Sequence, residues 1–345
     1  KKYNLTPVHL RAKEGLAFIN GTQFISALGA EALVRAEHAA LEADIITCMT
    51  FEALRGTTAA YRHFIHDARK HAGQREVAER MRAVLNNDLY KSEIFEKLTD
   101  KKKVQDSYTL RCAPQVHGVV HDTLRYVRSI IQTELNSATD NPMIFRDENG
   151  EPVIISGGNF HGEPTGFAMD ILTMSLVEIG NVSDRRCFTM CDPTISYGLP
   201  LALAGEPIGL NYGYNIICCS TSALASENKT LAFPSVCDTI PTKANQEDHV
   251  SMAPWAARKA KLVIKNLEKI LGIELLLASR GIWITQDQLG EFKLGKGTSI
   301  AYEKVNELIK FQNEDIYMGN QSKATIGLIE SDELLNAVEA AVGEL

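Results

Sequence analysis

The sequence predicts an all-α protein, a bundle with long central helices that associates into an oligomer. Three observations carry this reading. Apolar residues recur at three-and-four spacing over long stretches, and the alternation typical of strands is scarce. One segment, Ile270 to Leu277, is apolar almost all the way round apart from Glu274. A helix with no polar face has to be buried on every side, in a bundle core or between subunits.

The elements follow in chain order. From Gln115 to Leu135, apolar residues at Val116, Val119, Val120, Leu124, Val127, Ile130, Ile131 and Leu135 mark one helix face. The run stops at Asn136 to Pro142, because the residue before a proline is pushed out of helical geometry. A second run, Phe167 to Cys191, stops in the same way at Asp192-Pro193. The third opens at Ser251 with Pro254 just inside, a suitable cap and first-turn pair. It continues to about Ser279, with Gly272 as its one breaker. "PVII", Pro152 to Ile155, is the best strand candidate. Beyond Phe292 the long apolar runs give out, so 292–345 reads as a smaller peripheral helical layer. No linker interrupts the chain, and 1–345 is read as a single domain.

Composition narrows the function. With 345 residues, 45% hydrophobic and 23% charged, the chain is ordinary globular material with enough length for a large core. A net charge of -7 and a pI of 5.8 argue against a nucleic-acid partner, whose phosphates call for a basic footprint. The basic run Lys101-Lys102-Lys103 reads as a solvated loop. Seven cysteines show no paired spacing of a zinc site or disulfide framework, so reduced thiols in a cytoplasmic protein are expected. Cys187 and Cys191 lie one helical turn apart, as core packing also produces. No apolar run is long enough to span a bilayer, and no membrane partner is expected. The chain opens "KKYNLTP", with neither a signal peptide nor an initiator methionine.

Two tempting motifs fail on their chemistry. "GEFKLGKG", Gly290 to Gly297, nearly matches a phosphate-cradling loop, but Gly297 stands where a magnesium-binding hydroxyl is needed and no strand precedes it. No nucleotide is expected. His117 and His121 lie one turn apart without a third ligand in evidence, so hydrogen bonding or packing is expected rather than a metal.

The informative stretches flank the helices, where a rigid bundle presents side chains. "KEGLAFINGTQ" (13–23) places Asn20 beside Gly21. "VQDSYTLRCAPQVHG" (104–118) gathers Gln105, Tyr108 and Arg111 just before a helix. "SGGNFHGEP" (156–164) has paired glycines ahead of Phe160, and "NQEDHVSM" (245–252) carries Glu247. Taken singly, each has a structural explanation: a turn, a surface ion pair, a hinge.

Taken together, in this order and with "TELNSATDNPM" and "SENK", they resemble the aromatic amino acid ammonia-lyases over roughly Leu5 to Ile282, most closely the histidine-specific branch. The resemblance implies an all-α helical bundle of the ammonia-lyase and fumarase-like type, assembled as a homotetramer whose active sites draw on three subunits. It also implies elimination of ammonia from L-histidine to give trans-urocanate, using 4-methylidene-imidazol-5-one made from an internal Ala-Ser-Gly. By position, Arg111 is expected to grip the substrate carboxylate, a two-point contact that suits guanidinium. Asn20, Gln105 and Tyr108 match residues that hold the substrate or surround the prosthetic group, Phe160 one that packs beside it, and Tyr108 a catalytic position. Glu247 matches the acidic residue that separates histidine lyases from phenylalanine and tyrosine enzymes, which carry an amide there. It is expected to face inward, accept from the imidazole N–H and carry a proton. A carboxylate without such a partner is costly to bury, so it also disfavours phenylalanine.

The sequence departs from the family pattern at Ser107, where proline is common, and along Arg185 to Asn215. It contains no Ala-Ser-Gly; Ile155-Ser156-Gly157 lies inside another motif and is no substitute. The resemblance therefore implies an upstream segment or chain that carries the tripeptide, and implies that this polypeptide alone does not deaminate histidine. Alternative readings are a phenylalanine or tyrosine ammonia-lyase or aminomutase, a fumarase or aspartase relative, and a non-catalytic subunit. "SVCDTIPTKANQ" (235–246) echoes the mobile serine loop of the fumarase group.

Overall fold

The structure is a computed structural model that describes residues 2–85, 104–290 and 292–345. Helices account for most of it. In chain order they are α1 (Glu14–Ile19), α2 (Gln23–Ala53), α3 (His63–Ala68), α4 (Ala72–Val84), α5 (Tyr108–Arg111), α6 (Ala113–Leu135), α7 (Glu163–Cys191), α8 (Asn215–Leu231), α9 (Ala253–Leu289), α10 (Lys296–Leu308), α11 (Met318–Glu330) and α12 (Glu333–Val342). The strands β1 (Met143–Arg146) and β2 (Pro152–Ile155) pair antiparallel, Met143 opposite Ile155 and Arg146 opposite Pro152. No helix among the described residues is long and apolar enough to cross a membrane.

The bundle is organised around α9, which packs along α7 and α2 and touches α8 and α11. At 37 residues α9 is about 55 Å long at 1.5 Å per residue. It runs ten residues past the expected end at Ser279. Its start also differs: Met252, with φ of 51°, precedes the first turn, and Ser251 Oγ accepts from the Ala253 N–H at 3.4 Å. Pro254 sits in the first turn as expected.

Gly272 does not break α9. A Cβ there would lie 2.7 Å from the Ile326 Cα, so the missing side chain lets α11 cross in close contact. Of the two places open to a span buried on every side, Ile270 to Leu277 takes the bundle core: α2, α7 and α11 enclose it within one chain, leaving nothing for another subunit to cover. Glu274 is tolerated there because Arg186, Thr50 and Ser183 all bond its carboxylate.

Candidate functional site

The expected site residues fall into two groups at opposite ends of α7. At its C-terminal end, Gln105, Tyr108 and Arg111 line a cleft of about 580 Å³ together with Thr189, Ile195 and Tyr197. Tyr108 is 71% exposed, its ring open to the cleft. The Arg111 guanidinium lies over that ring, 4.6 Å from its centroid, and its Nε donates to the Asp106 carbonyl at 3.0 Å. The fork is thus aimed by one hydrogen bond and one ring face. No described residue takes its terminal nitrogens. The short helix α5 is itself anchored to the core, since Arg186 Nη1 donates to the Thr109 carbonyl at 3.3 Å.

At the N-terminal end of α7 lie Asn20, Phe160 and Glu247. Asn20 Nδ2 donates to Asp140 Oδ1 at 2.8 Å, and Lys13 bonds the other Asp140 oxygen. The Lys13 and Asn20 contacts hold the Asp140 carboxyl down at about 2. Phe160 is 39% exposed on the turn that leads into α7. The loop carrying Glu247 folds back through three successive residues of positive φ: Lys243, Ala244 and Asn245. That left-handed passage is costly for non-glycine residues and brings Thr242 opposite Glu247. The Thr242 N–H donates to the Glu247 carbonyl at 2.8 Å and its Oγ1 to Glu247 Oε2 at 2.7 Å. Within the single chain the Glu247 side chain is exposed, so the inward position expected of it is not made by this chain's own packing. The next turn joins the same end of the molecule, where the His249 ring stacks on His161 at 5.6 Å.

The two groups do not meet in one chain. Thr189 beside the first and Glu163 beside the second are 26 residues apart on one unbroken helix, about 39 Å at 1.5 Å per residue.

The remaining motifs resolve into structure. His117 Nδ1 and His121 Nε2 bond opposite oxygens of the buried Asp44 at 2.6 and 3.1 Å, with Arg80 on the same carboxylate. Burial alone would raise the Asp44 carboxyl, but Arg80, His121 and His117 hold it well below the usual range. In the "GEFKLGKG" loop the place of an anion is taken by Glu52, whose Oε1 accepts from the Gly295 N–H at 2.9 Å and from Thr298 Oγ1 at 3.0 Å. In the serine-loop echo, the Ser235 and Val236 N–H groups donate to Asp170, which also pairs with buried Lys259 at 2.9 Å. Cys191 meets Cys218, not Cys187, through its sulfur at 2.7 Å. The Lys101 to Lys103 run lies outside the described residues.

Lys13 and Asp140, which orient Asn20, were missed at the level of sequence. They lie 127 positions apart, and neither residue type is unusual in its own stretch. A single sequence carries no signal for such a pairing.

Comparison with known proteins gives a consistent answer. The family profile described as aromatic amino acid lyase matches residues 1–307. The histidine ammonia-lyase of Caenorhabditis elegans is 46% identical over 338 residues, 98% of this chain and 49% of that protein. The crystal structure of histidine ammonia-lyase from Trypanosoma cruzi superposes with a TM-score of 0.87 at 41% identity, over 98% of this chain and 62% of that one. A tyrosine aminomutase from Streptomyces globisporus superposes with a TM-score of 0.89 at 34% identity, over 100% of this chain and 67% of that one. The chain spans about half the length of the curated relatives it matches.

Proposed function

Because the chain belongs to the aromatic amino acid lyase family, we propose that it supplies the substrate-gripping part of a carbon–nitrogen lyase that eliminates ammonia from L-histidine to give trans-urocanate. The observation that carries this reading is Glu247, a surface carboxylate held in place by Thr242 where enzymes for plain aromatic rings carry an amide. A carboxylate accepts from an imidazole N–H and can carry its proton; a phenyl ring offers it nothing. Arg111 supports the same reading from the other end. Its aimed fork, whose terminal nitrogens no described residue takes, matches the substrate carboxylate in a paired, charge-assisted contact.

Arg111 and Glu247 cannot reach one small amino acid within a single chain. The ends of α7 beside which they lie are about 39 Å apart, which supports a site shared between copies, the α5 end of one meeting the Glu247 end of another, as in the homotetramer that the family resemblance implies.

Aromatic amino acid lyases use a methylidene-imidazolone prosthetic group. Its expected neighbours here do not form a cradle within one chain: Asn20 and Phe160 lie at one end of α7, Gln105 and Tyr108 at the other, and Asn20 Nδ2 is committed to Asp140. The sequence holds no Ala-Ser-Gly from which the group could form. We therefore assign the tripeptide to a segment that accompanies this chain in the active assembly.

The test is ultraviolet detection of urocanate from L-histidine. Protein in which this chain is joined by a segment containing Ala-Ser-Gly should form it, and this chain alone should not. An assembly that releases ammonia from tyrosine or phenylalanine but not from histidine would overturn the substrate assignment. The resemblance to the tyrosine aminomutase favours a second reading, an amino-group shift, which chromatography of the amino acids left after reaction separates from elimination by a β-amino acid product.

A further inference from the structure

We propose that His161, Glu163 and His249 form a binding site for a divalent transition-metal ion of the zinc class. One ligand atom from each residue can be chosen so that all three lie within 4.8 Å of one another, and no other such set occurs among the described residues. The sequence reading expected no metal. His161 and His249 are 88 positions apart, and only the return of the 235–252 loop to the start of α7 brings them together.

The hydrogen bonding assigns the lone pairs. His161 Nε2 lies 3.3 Å from the His249 carbonyl oxygen, which can only accept, so Nε2 carries the hydrogen. In the neutral ring, Nδ1 then presents a lone pair. That atom stands 4.0 Å from Glu163 Oε2, too far for a hydrogen bond. Glu163 Oε2 is shielded from solvent and has no hydrogen-bond partner, an arrangement that leaves an anionic oxygen uncompensated. A cation between these two atoms would satisfy both.

The donor set also selects the ion. Two imidazoles and a carboxylate suit zinc, cobalt and nickel better than magnesium or calcium, which prefer all-oxygen surroundings. Around a tetrahedral ion with bonds of about 2.1 Å, ligand atoms lie roughly 3.4 Å apart. Closing from 4.0–4.8 Å requires small side-chain rotations, which the exposed His249 and half-buried His161 and Glu163 permit. The Nε2–H to carbonyl bond is the outer contact that fixes the ring of a metal-binding histidine. The stacking of His249 on His161, at 29° between planes, keeps the second imidazole beside the first. A fourth position would face the open cleft of about 410 Å³ lined by His161, Glu163, Asn159 and Thr139.

The experiment measures binding, not turnover, so its outcome is independent of the substrate assignment. Purified protein containing this chain is titrated with Zn²⁺ by calorimetry, and with Co²⁺ by its visible absorption. The expected result is one ion per chain, with affinity weakened at least tenfold in His249→Ala and in Glu163→Gln. His63→Ala, at an exposed histidine elsewhere, should bind as the parent does. Zinc should raise the Tm of the parent and not that of His249→Ala. Because His249 is exposed, that variant should fold, and circular dichroism checks that it has. No binding by the parent, or binding that survives His249→Ala and Glu163→Gln as adventitious surface uptake would, overturns the proposal.

Discussion

Arg186 grips Glu274 with both arms of its guanidinium, Nε to Oε1 at 2.5 Å and Nη2 to Oε2 at 2.9 Å, and both side chains are wholly buried. The pair ties α7 to α9, and the third nitrogen of Arg186 reaches the Thr109 carbonyl in α5. A core ion pair thus sets the height of the helix that carries Tyr108 and Arg111. Replacing one partner leaves the other charge buried without compensation. Glu274→Gln should destabilise the fold by about 3–5 kcal/mol, measured by urea unfolding. A loss below about 1 kcal/mol would mean that the pair contributes little and α5 is held by other contacts.

Arg111→Lys keeps the charge at the α5 cleft but loses the planar fork, the contact to the Asp106 carbonyl and the stacking on Tyr108. In the active assembly kcat/KM for histidine should fall by roughly ten- to hundredfold, corresponding to about 1.5–3 kcal/mol for a charge-assisted contact. Steady-state kinetics that match the parent would remove Arg111 from substrate binding.

Glu247→Gln retains an acceptor for Thr242 Oγ1, so the loop should keep its shape. What it loses is charge and an exchangeable proton. Activity should therefore fall more on histidine than on phenylalanine or tyrosine, compared in parallel assays. Equal fractional losses on the three amino acids would reduce Glu247 to a support of its loop.

His117 makes stability depend on pH near neutrality. Burial lowers its proton affinity below the usual histidine value, outweighing the bond to Asp44. The unfolded chain consequently takes up a proton that the folded chain refuses, and stability falls as the pH drops through about 6.5. Asp44 acts in a separate window: its depressed carboxyl contributes stability that is lost only as pH falls below about 4. Tm measured from pH 7.5 downward should decline more steeply through the histidine window in the parent than in His117→Gln. Parallel declines would show that another group is responsible.

The helices were legible because burial on one or all faces leaves a periodic trace in the sequence. Val116 to Leu135 fixed a helix, the prolines at 142 and 193 limited two of them, and the solid apolar belt around Glu274 announced a buried span. The motif residues were legible by type: a guanidinium beside a phenol at 108–111, and a carboxylate in "NQEDHVSM". Local chemistry and local period are properties of neighbouring residues, so both can be read along the chain.

Tertiary structure alone decided which distant groups meet. It paired Lys13 with Asp140, Glu52 with the Gly295 turn, and His161 with His249, contacts separated by 88 to 243 positions. It also showed that Ile270 to Leu277 is enclosed by its own chain, while Glu247 stays outside. Above all, it set Arg111 and Glu247 at opposite ends of α7. A helix is rigid over about 39 Å, so residues expected to form one site are held in two separate groups in space.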